Sequence, residues 1–269
     1  MGKEANYIET NKKTWNQKTE VHIKSGFYDN DNFLKGKSSL KGIELDLLGD
    51  IAGKSILHLQ CHFGQDSISL SRLGANVTGI DLSDEAIKRA KEFASQTHSQ
   101  TKFICCNIYD LPSFLGQQFD IVFSSYGTIS WLPDLEAWAE IISRYLKPNG
   151  KFVFVEFHPV VWMFDDEFDK PGYNYFNTGP LLETETGTYT DKESPIEHEF
   201  VNWNHSISEI LNSLINHGLE IKSFNEFDYS PYNCFRHTIK IEPDKYRIKH
   251  LDNKIPMLYS ILVTKKSQA

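Results

Sequence analysis

Residues 56–83, ILHLQCHFGQDSISLSRLGANVTGIDLS, hold the side chains in this sequence whose types and spacing carry the clearest chemistry. Asp81 stands 21 residues after Gln60. An acidic residue at that spacing, closing the second strand of a strand–helix–strand unit, accepts hydrogen bonds from ribose hydroxyls. The other reading makes Asp81 a neighbour of the next helix start, where Ser83 caps and Asp84 and Glu85 fill the first turn. Because Ser83 already serves as the cap, Asp81 is left free for a ligand. The turn between the first strand and its helix is Gln60-Cys61-His62-Phe63-Gly64, with a single glycine. Dinucleotide sites need G-x-G-x-x-G so that backbone can approach a pyrophosphate, so this loop is a poor pyrophosphate cradle.

Elements that would position these residues follow from patterning. Residues 55–59 and 76–80 are short apolar runs bounded by turn residues, as in parallel strands buried on both faces. A helix is expected over residues 65–73 and another over 83–95. Further strands are expected at 101–105, 119–124, 151–157, 219–227 and 257–265, with helices at 40–48, 133–146 and 204–217. Alternating strands and helices make an α/β fold.

The loop carries a resemblance. I56-L57-H58-L59-Q60-C61-H62-F63-G64 is similar to V-L-D-L-G-C-G-x-G, the first motif of class I S-adenosylmethionine-dependent methyltransferases. HLQCHFGQD followed by VTGIDLS resembles a bacterial subgroup of small-molecule methyltransferases. The resemblance implies a Rossmann-like, seven-stranded, mostly parallel sheet flanked by helices, with S-adenosyl-L-methionine as cofactor. It implies that His58, Gln60, Cys61 and Gly64 lie along the cofactor, and that Asp81 and Leu82 meet its ribose side. His58 replaces the acid that helps hold the methionine amino end. Asp66 either supplies that carboxylate or merely favours the helix N-terminus. The segment 106–112, C-N-I-Y-D-L-P, resembles the family's G-D-A-x-x-L-P, which gives Asn107 and Ile108 the adenine. Asn107 read alone also suits an Asx-turn. Ser124 and Ser125 are implied beside the methionine moiety, at the carboxyl edge of the sheet where open α/β folds bind ligands.

Outside this core, residues 1–50 read as an N-terminal helical cover, with a short helix and loop over 14–28. In the family such a segment covers the cofactor, so Trp15, His22 and Tyr28 either contact cofactor or substrate or simply anchor the helix. Tyr126 and Trp131 are expected to wall the acceptor space. The methyltransferase domain is expected over 51–269, with an insertion at 160–204 bearing a β-hairpin near 183–190 and 198–203 after the fifth strand. That insertion and a long loop at 228–256 are expected to form a lid. Methyl transfer from a sulfonium needs positioning above all. A general base is needed only where the acceptor must lose a proton, and His158, Glu156, His22 and His205 are the titratable residues to test.

Bulk properties narrow the partners. With 28 Lys+Arg against 36 Asp+Glu the net charge is −8, so no basic footprint for nucleic acid or anionic lipid is present. No apolar run reaches membrane-spanning length and the N-terminal stretch has no signal-peptide core. Four cysteines without C-x-x-C suit core thiols in a reducing cytoplasm, and no histidine spacing calls for a metal. A small-molecule acceptor is expected. A protein of the same fold with other chemistry, or a non-catalytic cofactor-binding protein, stays open at this level. The acceptor and the oligomeric state are not legible.

Overall fold

The computed structural model describes residues 6–266; residues 1–5 and 267–269, at the outer ends of the two expected regions, lie outside the described residues. Seven strands form one sheet in the order β3-β2-β1-β4-β5-β11-β8. They are β1 (Ser55–His58), β2 (Asn76–Asp81), β3 (Lys102–Cys105), β4 (Phe119–Ser125), β5 (Leu146–Phe157), β8 (Leu219–Phe227) and β11 (Leu258–Lys265). β11 runs antiparallel to both neighbours, while β1 to β5 pair in parallel. The seven-stranded, mostly parallel sheet expected from sequence is present.

Helices cover both faces because the strands are apolar on both. α6 (Leu135–Tyr145) and α7 (Ile207–Asn216) bury Trp138, Ile142, Ile210 and Leu214 against Leu57, Val122, Phe152 and Phe154. On the other face α3 (Gly42–Leu48) and α4 (Gln65–Arg72) place Leu48 and Leu70 on Ile56, Val77, Phe123 and Val153. Caps fix where helices begin. Ser83 accepts the Ala86 N–H at the start of α5 (Asp84–Gln96), Asp134 does the same for α6 and Ser206 for α7.

Several elements differ from expectation, among them β5, which begins at Leu146 rather than 151. α1 spans Tyr7–His22, starting earlier and running longer than the short helix expected from residue 14. Its inward residues are polar, Asn11, Thr14, Lys18 and His22, so no apolar period marks it. The hairpin β6 (Leu181–Thr186) and β7 (Glu197–Asn202) is shorter at its turn, because Gly187 bends the chain in the left-handed region at φ +82°. The expected loop at 228–256 contains a second hairpin, β9 (Thr238–Glu242) and β10 (Lys245–Ile248). Its strands do alternate, Ile239 and Ile241 in one and Tyr246 and Ile248 in the other, but each is only four or five residues long and carries charged residues between them. A short α2 (Asn30–Leu34) completes the elements. No helix among the described residues is long and apolar enough to cross a membrane.

α1 and the β6–β7 hairpin are tied together. The Asn11 side chain donates to the Val201 carbonyl and accepts the Val201 N–H, both at 2.8 Å, and Thr14 donates to the Glu199 carbonyl. A helix side chain thus completes a strand edge, and the pair roofs the carboxyl edge of the sheet.

Candidate active site

Beneath that roof lies a cavity of about 740 Å³, within the roughly 300–1,000 Å³ of small-molecule and cofactor sites. Its floor is the loop after β1. Gln60 (φ +53°) and His62 (φ +50°) adopt the left-handed conformation that glycine takes at no steric cost. The loop therefore keeps a glycine-type path with side chains added to it. Gly64 (φ +81°) has a packing role as well, since a Cβ there would lie 2.6 Å from Phe103 and 2.9 Å from Ala90.

Asp81 ends β2 at the cavity wall. Its carboxylate accepts the His62 N–H at 2.7 Å and the Ser83 N–H at 2.8 Å. Burial pushes its pKa up to about 6, against these hydrogen bonds. Leu82, Cys61 and Ile108 line the same wall. Asn107 also lines it; its oxygen accepts the Tyr109 N–H at 3.2 Å, so the Asx-turn reading holds, with the second oxygen lone pair remaining.

At the other end His58 is buried, bonded to Ser67 Oγ at 2.7 Å and packed on Phe123. Burial drives its pKa down to about 3, so it is neutral and cannot replace an acid's charge. A carboxylate is supplied nearby by Asp66, which lines the cavity and accepts from Ser39 Oγ at 2.6 Å and Ser125 Oγ at 3.2 Å. Burial raises its pKa too. Ser125 lines the cavity, whereas Ser124 is fully buried against Thr128 and does not. Trp15, Tyr28, Tyr126 and Trp131 all line it. Tyr126 is in the left-handed region (φ +49°) and donates to Glu44 Oε2 at 2.6 Å. That fully buried acid has its pKa raised to about 7 by burial, with Asp66 adding repulsion.

None of the four titratable side chains expected near the acceptor forms the cavity wall among the described residues. Glu156 accepts the backbone N–H groups of Gly127, Thr128, Ile129 and Phe157, so its carboxylate braces the turn carrying Tyr126 and Trp131. His158 pairs with Glu226 at 2.9 Å. His205 bridges the Leu132 carbonyl at 2.8 Å and Glu209 at 3.0 Å. His22 sits behind His62, with Nδ1 3.2 Å from His62 Nε2, and burial lowers its pKa well below the usual imidazole value. Each is already satisfied by, or screened behind, a protein partner. Glu156→Gln is expected to cost about 2 to 3 kcal/mol, because an amide meets donors with donors. A lower urea midpoint at unchanged slope would report it, and an unchanged midpoint would contradict the bracing role.

Residues 57–154 match the family model described as a methyltransferase domain. The fold agrees with solved structures. The chain superposes on a putative S-adenosylmethionine-dependent methyltransferase from Listeria monocytogenes at TM-score 0.58 and 21% identity, covering 83% of this chain and 96% of that one. A second, from Mesorhizobium loti, gives TM-score 0.57 and 20% identity over 86% and 100%. The fold is the class I methyltransferase fold. Among curated relatives, the ubiquinone biosynthesis O-methyltransferase of Xanthomonas oryzae pv. oryzae is 32% identical over 128 residues, 46% of this chain and 53% of that protein. The uncharacterized methyltransferase YbaJ of Bacillus subtilis is 24% identical over 196 residues, 70% and 74%. The chain spans about half the length of the ubiquinone-pathway relatives it matches.

The site's own chemistry fits the cofactor of that fold. Gln60 Nε2 donates to the Thr128 carbonyl at 2.9 Å, which leaves Gln60 Oε1 buried at the floor without a protein partner. With Asp66 and Asp81, this makes the floor rich in acceptors, matching a ligand that brings sugar hydroxyls, an ammonium and a sulfonium charge.

Sequence predicts a cover from the N-terminal segment and a lid from the 160–204 insertion, but of their residues it singles out only Trp15, His22 and Tyr28. Lys18, Glu183, Glu185, Phe200 and Asn202 all line the cavity. A faint signal exists in the spacing of Tyr7, Asn11, Trp15, Lys18 and His22, one face of a helix, although its polar members hide it.

Proposed function

We propose that this protein transfers the methyl group of S-adenosyl-L-methionine to a small-molecule acceptor. The observation that carries the reading is the Asp81 carboxylate, held by two backbone N–H groups at the carboxyl end of β2 and facing a cavity under α1. Asp81 takes the ribose hydroxyls, with Leu82 alongside. Asn107 and Ile108 take the adenine edge and face. Asp66, aimed by Ser39 and Ser125, takes the methionine ammonium in place of the acid that His58 displaces, while Gln60, Cys61 and Gly64 form the floor. Tyr126, Trp131, Trp15 and Tyr28 enclose the acceptor and keep water out.

When bound, the cofactor supplies an electrophilic methyl on a sulfonium. The chain contributes position, holding the acceptor atom on the methyl–sulfur axis, which can supply much of a rate enhancement. With Glu156, His158 and His205 each spent on protein partners, the reading needs no general base from those residues. Four free thiols suit a reducing cytoplasm.

Calorimetric titration with S-adenosylmethionine and S-adenosylhomocysteine tests it. Saturable one-to-one binding is expected, and no heat at millimolar ligand would overturn the proposal.

A further inference from the structure

Roof residues that the cofactor reading leaves unused converge on Lys18. In β7, His198, Phe200 and Asn202 alternate to one face, and their β6 partners on that face are Glu185, Glu183 and Leu181. α1 brings Lys18 and Trp15 against it. Lys18 is 5% exposed, and its Nζ lies 5.1 Å from the Phe200 ring centroid, 5.6 Å from Trp131 and 5.7 Å from Trp15.

An ammonium has three N–H donors. Among the described residues Lys18 makes one hydrogen bond, to Glu185 at 3.4 Å. That carboxylate is half-exposed and shared with His198 at 3.3 Å. The other roof carboxylate, Glu183, is occupied by the Tyr173 hydroxyl at 2.5 Å and the Asn202 amide at 3.2 Å. Asn202 Oδ1 is left buried without a partner. Lys18 is therefore paired only with Glu185, at a long 3.4 Å and in competition with His198, and among the described residues its remaining N–H donors have no acceptor, with three ring faces within 6 Å of Nζ. Burying a charge is costly unless it is paired, and ring faces compensate only part of that.

We propose that Lys18 docks an anionic oxygen group on the methyl acceptor, whose flat apolar body lies among Trp15, Trp131 and Phe200. This rests on the proposed methyl transfer for calling the ligand an acceptor, but the binding chemistry stands by itself. An aromatic or conjugated acid is the class that meets both the cation and the rings, and a hydroxyl on the same molecule would meet Asn202 Oδ1.

Three probes of one shape separate the charges: benzoate, benzyl alcohol and benzylamine, followed by tryptophan fluorescence of the full chain with S-adenosylhomocysteine present. Benzoate is expected to bind at least tenfold more tightly than benzyl alcohol. Lys18→Met should abolish that preference while keeping benzyl alcohol affinity, and Lys18→Arg should retain most of it. Tightest binding by benzylamine, no saturable benzoate binding, or an undiminished preference in Lys18→Met would each overturn the proposal. If Lys18→Met does not fold, the wild-type series and Lys18→Arg still decide. Benzoate preference without S-adenosylhomocysteine binding would reject the methyl-transfer reading and leave the anion site standing; the converse would reject only the anion site.

Discussion

Asp81→Ala is expected to weaken binding of S-adenosylmethionine and S-adenosylhomocysteine by about two orders of magnitude. Two charge-assisted hydrogen bonds to ribose hydroxyls are worth about 3 kcal/mol together, or roughly 150-fold. The effect on the ligand-free protein is smaller because two terms oppose. The substitution orphans the His62 and Ser83 N–H groups, yet it also removes a carboxylate whose pKa burial has pushed up to about 6 from an ordinary 3.8. In the ligand-free fold, ionising Asp81 is unfavourable, so its contribution to stability is greatest below pH 3.8 and is lost as pH rises to about 6. Binding has the opposite sign. The ionised form accepts the sugar hydroxyls, so wild-type affinity should decline below about pH 6, approaching tenfold per pH unit. Asp81→Asn removes the charge and should remove that pH dependence. Calorimetry from pH 5 to 8 checks both, and affinities unchanged by either substitution would refute the ribose role.

Glu44→Gln is expected to change how stability depends on pH. Glu44 is fully buried, accepts the Lys41 N–H at 2.6 Å and the Tyr126 hydroxyl at 2.6 Å, and has its pKa raised from 4.5 to about 7 by burial first and Asp66 second. Below pH 4.5 the acid is protonated in both folded and unfolded chains. Between 4.5 and about 7 the unfolded chain ionises first, so stability falls as pH rises and levels off above 7. Glutamine preserves both contacts, because its oxygen can take the Lys41 N–H while its amide donates to the Tyr126 oxygen, but it does not titrate. Relative to wild type, the variant should therefore gain about 2 to 3 kcal/mol between pH 4.5 and 8. Urea unfolding of both proteins at the two pH values isolates the term, since all other groups are shared. A stability difference independent of pH would show that Glu44 is not a buried acid with a raised pKa.

The half of the site built on the sheet edge was legible because local pattern carries it. Short apolar runs mark β1 and β2, Ser83 marks the next helix, and Asp81 between them is left with a carboxylate to offer. Gln60 and His62 obscured the motif chemically but not in backbone, since both hold left-handed angles. Of the roof, a helical cover and a hairpin lid were legible as segments, but not their docking or the side chains they bring in. The roof depends on α1 docking on β7 through Asn11 with Val201 and Thr14 with Glu199, contacts about 190 and 185 positions apart. α1 also turns polar residues inward, which removes the amphipathic signal by which a surface helix is recognised. For a related reason, residue type could not show that Glu156, His158 and His205 lie off the cavity wall. Residue type shows that a side chain can titrate, whereas only the fold shows that four backbone N–H groups, Glu226 or Leu132 already occupy it. The hairpin β9–β10 was hidden by its brevity, since strands of five and four residues hold only two apolar positions each.

A crystal structure of the protein with S-adenosylhomocysteine would show directly whether the cofactor lies along Asp81 as proposed. Ribose hydroxyls are expected at hydrogen-bond distance from Asp81, adenine beside Asn107 and Ile108, the ammonium at Asp66, and the sulfur facing Tyr126 and Trp131. A ligand bound away from Asp81, or with its sulfur turned from those two rings, would contradict that placement.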